Sequence, residues 1–478
     1  MKLRWRSFTI LSTVLACYGG AAAAQNTPAP ISGTIDAAHP WQRFEGWGTS
    51  LAWWAHVVGG YPAGVRQKLV DMFFNQKTGL GLTVVRYNIG GGENPKYMPP
   101  NHEFLTYRTA VPGYEPTPGV WNWNADKGQR TILAMAMKEG ADHLQAFSNS
   151  PPWWMTVSGS VTGGKGGADN LAPGKIDTFT AYLAAVLKHF QDTWHITFPT
   201  VEPLNEPLLG WAFGNGQEGC HVDSAEQNLV ITSMGKALQA AGVTGTHVAA
   251  SDETSITFAL KTFPFYDATS LGYMTQVDTH SYWGTGRAKL RALAKQAGKT
   301  LWLSEYGDGD GSGIPMSMRI LQDMRNLRPN AWVYWQTMDS AGGWGFVWSA
   351  LDSRTDTTYR VNQKYYVMAN YSRFIRPGSQ IIADDDAHSL AAVDPQRRHV
   401  IVVATNPLQQ PQQVNYDLTG ISSVGRTARV WQTCTGEQLK SLKGVPVING
   451  KFAATLPPMS VTTFVVDAQM PTPLSSGR

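Results

Sequence analysis

The sequence predicts an α/β chain: a (β/α)8 TIM barrel followed by a smaller C-terminal antiparallel β-sandwich that an N-terminal strand joins. Three observations carry that prediction. Short β-rich runs alternate with amphipathic helical stretches about eight times between residues 44 and 375. That alternation argues for parallel βα units, and the 478-residue length suits a barrel of eight with a side domain. Beyond residue 376 the helical period disappears, and β-branched segments separated by Gly, Pro and Asn turns replace it.

The elements follow in order. Residues 1–24 have a basic start (Lys2, Arg4, Arg6), an apolar run from Phe8 to Ala16 and small residues at Ala21 to Ala24. This is the layout of a signal peptide cleaved before Gln25, and it predicts a secreted or periplasmic protein. An alternative reads VLAC, ending at Cys17, as a lipoprotein box. No later segment is long and apolar enough to predict a membrane span. Residues 25–43 contain ISGTIDAA (31–38), a candidate extra strand for the sandwich. The barrel is expected over 44–375, with strands at 44–48, 82–89, 143–149, 198–205, 246–252, 276–282, 300–305 and 331–336. Helices are expected at 63–74, 129–140, 177–190, 225–242, 287–298, 315–326 and 362–375. The fifth helix is interrupted by Pro264. The sandwich is expected over 376–467, with HVIVVATNP, TARVWQTC and VTTFVVD among its strands, and residues 468–478 read as a disordered tail.

Composition excludes several classes of function. Residues 1–24 carry three bases and no acid, so their removal leaves 454 residues and lowers the net charge from +4 to +1. A nearly neutral chain has no electrostatic drive toward nucleic acid. Only Cys220 and Cys434 remain, which excludes a disulfide framework and a cysteine-based zinc site, and two separate thiols are expected. Eighteen tryptophans are present, sixteen of them between Trp41 and Trp348. The pairs Trp53–Trp54 and Trp153–Trp154 stand beside Gly, Asn and Pro in loop contexts, where two adjacent indoles cannot both point inward. Rigid exposed indoles suit stacking on the C–H faces of sugars. Trp53, Trp54, Trp153, Trp154, Trp211 and Trp283 are therefore candidate sugar platforms, each with core packing as its alternative.

In such a barrel the active site lies at the C-terminal ends of the strands. Those ends supply Arg86, Asn149, Asn205, Glu206, Asp252, Glu253, His280, Tyr282, Glu305, Trp335 and Gln336. The GGG at 90–92 lacks a following Lys-Ser/Thr, so it makes a poor phosphate loop. Glu206 ends the fourth strand and Glu305 the seventh, facing each other across the mouth. Glycosidic hydrolysis needs one carboxyl to protonate the leaving oxygen and an ionised carboxylate on the other side of the sugar. Glu202 and Glu206 share a strand face by the two-residue period, with Glu202 deeper and out of reach of substrate. Glu45, Asn88, Glu93, Glu218 and Asp252 are candidates for holding sugar hydroxyls.

FEGWGTSLAWWA (44–55), VVRYNIGGGEN (84–94), SNSPPWWM (148–155), EPLNEP (202–207), NGQEGC (215–220), THSYWG (279–284), WLSEYG (302–307) and VYWQ (333–336) together resemble glycoside hydrolase family 30 of clan A. The likeness covers the whole mature chain and is greatest to the family's microbial endo-β-1,6-galactanases. The resemblance implies Glu206 as general acid/base and Glu305 as nucleophile, with retention at the anomeric carbon. It implies that Asn205 binds the sugar 2-hydroxyl. Arg86 and Tyr282 would hold the nucleophile, with His280 in the same hydrogen-bonding layer. Trp335 would be the floor beneath the reacting sugar, with a non-proline cis bond after it. Trp54, Asn88, Asn149, Trp154, Trp211, Trp283 and Glu218 are the further substrate-binding candidates. The expected partner is a polysaccharide or oligosaccharide, β-1,6-galactan of arabinogalactan, and the expected state a monomer needing no metal or organic cofactor. Other activities of the family stay open (β-1,6-glucanase, xylanase, β-xylosidase or glucosylceramidase), as does a non-catalytic carbohydrate-binding barrel.

Overall fold

The computed structural model describes residues 28–98 and 104–470. The expected signal segment, Cys17 and residues 471–478 of the expected tail lie outside the described residues.

Strand β1 (Ile31–Arg43) precedes the barrel. The barrel strands follow as β2 (Gly46–Ser50), β3 (Val84–Asn88), β4 (His143–Phe147) and β5 (Thr200–Glu202). Then come β6 (His247–Glu253), β7 (Met274–His280), β8 (Thr300–Tyr306) and β9 (Ala331–Gln336). All eight expected strands are present, all parallel, and the ring closes where Gly46 of β2 pairs with Ala331 of β9. They are buried on both faces, which is why they read as near-continuous apolar runs.

Helices Ala63–Phe74, Lys127–Lys138, Ile176–Thr193, Ser224–Ala240, Arg287–Gln296, Ile314–Asn326 and Gln363–Ser372 lie within a few residues of expectation. The fifth is split at Pro264 into Ile256–Thr262, a 3-10 turn over Phe263–Phe265, and Ala268–Tyr273. Proline has no amide proton to continue the helical ladder.

The lower barrel interior is closed by Val84, Trp302, Ala331 and Val333. The indole of Trp302 donates to Glu45 Oε2 at 2.6 Å. Glu45 precedes β2, so it sits at the N-terminal end of the barrel. It cannot hold substrate at the opposite mouth, which corrects its candidacy.

The side domain is one continuous nine-stranded sheet. Strand β1 sits inside it, antiparallel to Gln380–Asp384 and parallel to Gln412–Thr419. Its apolar faces share one core, in which Phe464 meets both Phe452 (5.1 Å) and Tyr416 (6.4 Å between ring centroids). The sheet therefore folds over itself as a sandwich. Cys220 and Cys434 are separate thiols.

Candidate active site

The site is assembled around Arg86, fully buried on β3. Its Nη1 donates to Glu305 Oε2 at 2.9 Å, and its Nη2 to Glu202 Oε2 at 2.8 Å and to Asp252. Its Nε donates to Gln145 at 3.0 Å, and its planar group lies 4.2 Å from the Phe147 ring centroid. A guanidinium presents its donors in a rigid fork, so one side chain can fix three carboxyls on three strands.

The second organising group is His280, at the end of β7 and fully buried. Its Nδ1 lies 3.0 Å from Glu206 Oε1 and 3.4 Å from Glu305 Oε1, and its Nε2 lies 2.9 Å from Asp252 Oδ1. Burial pulls the imidazole down, but Glu305 and Asp252 outweigh it and raise it to about 10. At neutral pH it is an imidazolium that donates from both nitrogens.

Burial raises Glu305 to about 7 against the opposing pull of His280 and Arg86. Three donors converge on it, because Tyr282 adds its hydroxyl to Oε1 at 3.0 Å. Burial also acts upward on Asp252, yet Arg86 and His280 overcome it and hold this carboxyl well below the usual range. Ser304 Oγ donates to Asp252 at 2.6 Å.

Glu206 is not on a strand, which corrects the expected placement. β5 ends at Glu202, and Glu206 stands four residues on with a left-handed φ of 50°. Its amide donates to the carbonyl of Asp252 (2.8 Å), which also has a left-handed φ, of 52°. Two residues in so sparsely populated a conformation mark a backbone fixed by its surroundings. The loop beyond is held by Glu253, which accepts from Leu208 N (3.1 Å), Thr262 Oγ1 (2.8 Å) and Gln227 Nε2 (3.1 Å). Sequence reasoning placed Glu253 at a strand end without this task, and left Ser304 out altogether.

A cleft of about 530 Å³ opens over these groups, and Asn149, Asn205, Glu206, Trp211, Tyr282, Trp283, Glu305 and Trp335 line it. The Asn205 Oδ1 is buried without a protein partner, so the amide is available to a ligand. The Trp211 indole donates to the Glu206 carbonyl at 3.1 Å and lies flat over Gly219, where an added Cβ would stand 2.2 Å from the ring. Trp335 meets Trp53 edge to face at 5.1 Å, and the Arg108 guanidinium covers the Trp53 ring at 5.1 Å. Trp53, Arg108, Gln217, Thr254, Asp339 and Trp344 also line the cleft, and sequence reasoning passed over all of these but Trp53. Thr254 directly follows the β6 end, a position that could have been weighed.

Six candidates are corrected. Trp54 is fully buried, donates to Ser50 O at 2.9 Å and packs edge-on to Phe73, so it is core, and Trp53 is the member of the pair that reaches the cleft. Trp154 donates to the carbonyl of Glu115 (3.0 Å) and is not among the cleft walls. Glu218 is buried, accepting from Gly91 N (2.9 Å) and Asn88 Nδ2 (3.2 Å), and burial raises it to about 8. The Nδ2 of Asn88 is thus taken up by Glu218, and neither residue is among the cleft walls. Asp252, fully engaged by Arg86, His280 and Ser304, has no reach to a sugar hydroxyl. Glu93, which accepts from Ser160 Oγ at 2.8 Å, belongs to a supporting loop rather than the cleft lining. The peptide bond after Trp335 is not cis; among the described residues the two non-proline cis bonds are Ala52–Trp53 and Ala250–Ser251.

Glu206, His280 and Glu305 bring ligand-type atoms within 4.8 Å of one another. They do not fit a metal ion, because His280 turns a donor toward both carboxylates and Arg86 already supplies countercharge to Glu305.

The model of O-Glycosyl hydrolase family 30 matches residues 30–263. The endo-beta-1,6-galactanase of Hypocrea rufa is 35% identical over 488 aligned residues, which cover 96% of this chain and 98% of that protein. Among solved structures, a conserved exported protein from Bacteroides fragilis has a TM-score of 0.77 at 20% identity, over 91% of this chain and 100% of that one. The catalytic domain of GH30 xylanase C from Talaromyces cellulolyticus has a TM-score of 0.70 at 19% identity, over 91% and 99%. At those identities the two structures show a shared fold.

Proposed function

The chain belongs to glycoside hydrolase family 30 and is a glycoside hydrolase; from that premise we propose that it cleaves β-1,6-galactosidic bonds within the galactan side chains of arabinogalactan, with retention of configuration. The linkage rests on the near-full-length similarity to the Hypocrea rufa enzyme. The chemistry rests on one observation: a carboxylate oxygen of Glu206 and one of Glu305 lie within 4.8 Å of each other. That spacing accords with the roughly 5–5.5 Å of double-displacement enzymes rather than the ~6.5–9.5 Å of inverting ones, which must fit a water between the carboxyls.

In the first step Glu305 attacks the anomeric carbon and its bond to the leaving O6 breaks. Glu206 gives that oxygen its proton as a galactosyl–Glu305 ester forms. In the second step Glu206 takes a proton from water, whose oxygen displaces Glu305 with a second inversion. Arg86, Tyr282 and His280 hold Glu305 in line by the contacts described above. The free Asn205 amide suits the sugar 2-hydroxyl, and Trp335 suits the apolar face of the reacting ring. Asn149, Trp211 and Trp283 suit neighbouring sugars. We read residues 1–24 as an export signal, and a secreted product whose N-terminus is Gln25 would be its signature.

The test compares hydrolysis of de-arabinosylated β-1,6-galactan, β-1,6-glucan and glucuronoxylan. The proposal expects rapid release of galacto-oligosaccharides from the first alone. Preference for the glucan or the xylan would overturn the linkage, and galactose as the sole product would overturn internal cleavage.

A further inference from the structure

Beneath the cleft lies a second carboxyl pair that the hydrolytic steps do not use. Glu202 on β5 and Asp278 on β7 are both fully buried. Glu202 Oε2 accepts from Arg86 Nη2, but its Oε1 is buried with no donor. Asp278 has donors to spare: Gln145 Nε2 reaches Oδ2 at 2.6 Å, and Gln276 Nε2 lies 2.9 Å from Oδ1 and 3.0 Å from Oδ2. The two carboxyls act on each other as hydrogen-bonding partners, an interaction that raises Glu202 and lowers Asp278. Two carboxylates have no proton to share, so such a contact requires one of them to be the acid.

We propose that Glu202 carries a proton and donates it from Oε1 to Asp278, so that it orients Arg86 as a neutral positioning residue and leaves the guanidinium's charge to Asp252 and Glu305.

Charge balance supports this assignment. Arg86 and His280 are the cations of the network, and four carboxyls, Glu202, Glu206, Asp252 and Glu305, pair with them, while Asp278 is bonded to Gln145 and Gln276 instead. The titratable groups bearing on Glu202 are Arg86 from β3, Asp252 from β6, Asp278 from β7 and the Tyr266 hydroxyl. Burial is the largest influence on Glu202 and raises it well above the carboxylate range; Asp252 and Asp278 add to the rise, and Arg86 opposes it. The donor count decides which partner holds the proton, since the Asp278 oxygens already accept three contacts whereas Oε1 of Glu202 accepts none. An ionised Glu202 would compete for Arg86 with the carboxylate that must attack the sugar.

The inference rests on the reading of Glu305 as the attacking group, and its test has one arm that needs no substrate. In Glu202→Gln the amide replaces the acid as donor to Asp278, so the acidic limb of the kcat/KM–pH profile should stay where it is in the wild type. Glu202→Leu, which removes both contacts, should lower kcat/KM by about tenfold or more. A downward move of the Glu202→Gln limb by about one unit or more would overturn the proposal, because it would mean that a negative charge beside Arg86 had been removed. The second arm is infrared spectroscopy of wild-type protein carrying carboxyl-13C glutamate. At about pH 9.5, above the values of Glu218 (about 8), Glu253 (about 7) and Glu305 (about 7), a protonated glutamic acid band should persist. Glu202→Gln should abolish that band. Its absence from the wild type, or its survival in the variant, would overturn the proposal whether or not galactan is the substrate.

Discussion

Nδ1 of His280 stands 3.0 Å from Oε1 of Glu206, so a buried imidazolium is hydrogen-bonded to the carboxyl proposed to shuttle the proton. Its other nitrogen is anchored to Asp252 at 2.9 Å, which fixes the ring's orientation. His280→Gln removes the charge while keeping a polar side chain. Burial and the neighbouring carboxylates then act on Glu305 with less opposition, so its ionisation shifts upward. The acidic limb of kcat/KM should move to higher pH by about one unit or more, measured on β-1,6-galacto-oligosaccharides. An unmoved limb would contradict this electrostatic role.

The same group links folding to pH. His280 rises from an ordinary 6.5 to about 10 in the folded protein. Its stabilisation is therefore complete below about pH 6.5 and is lost as pH rises toward 10. The difference in unfolding free energy between wild type and His280→Gln should shrink across that window, as denaturant titrations at several pH values would report. A difference that grows with pH would reverse the sign and contradict the assignment.

Trp54 and Trp283 separate packing from contact. Trp54 is fully buried, whereas Trp283 is 43% exposed on the cleft lip against Phe258. Trp54→Ala should cost about 3–5 kcal/mol of stability by denaturant titration. Trp283→Ala should leave stability near that of the wild type and raise KM by about three- to tenfold, the worth of one aromatic contact. Exchanged outcomes would contradict the placement of the two indoles.

Chelation should leave the reaction rate unchanged, since Arg86 and His280 supply the positive charge that a metal would otherwise bring to Glu206 and Glu305. Loss of activity in chelator, restored by a divalent ion, would require a metal in the site.

The barrel was legible because a parallel strand buried on both faces leaves an apolar run, and its covering helices leave a 3.6-residue period. The carboxyls were legible because barrel chemistry collects where strands end. What the pattern did not carry was direction. Trp53 and Trp54 are identical neighbours, and only the packing of Phe73 and Trp335 decides which turns inward. Glu218 sits in a glycine-rich loop that looks solvent-facing, yet the chain carries it to the amide of Gly91, 127 positions away in sequence. The strand period placed Glu202 and Glu206 on one face, but β5 stops at Glu202 and the bond to Asp252 sets the later turn. The cleft wall formed by Arg108, Asp339 and Trp344 comes from loops distant in sequence, so no local spacing announces it.

The most direct test of the account is the anomeric configuration of the first product. Proton NMR of β-1,6-galacto-oligosaccharide hydrolysis, recorded before mutarotation, should show the new reducing end appearing as the β-anomer, as a galactosyl–Glu305 intermediate requires. First appearance of the α-anomer would mean a single displacement by water, and would contradict the pairing of Glu206 with Glu305 proposed here.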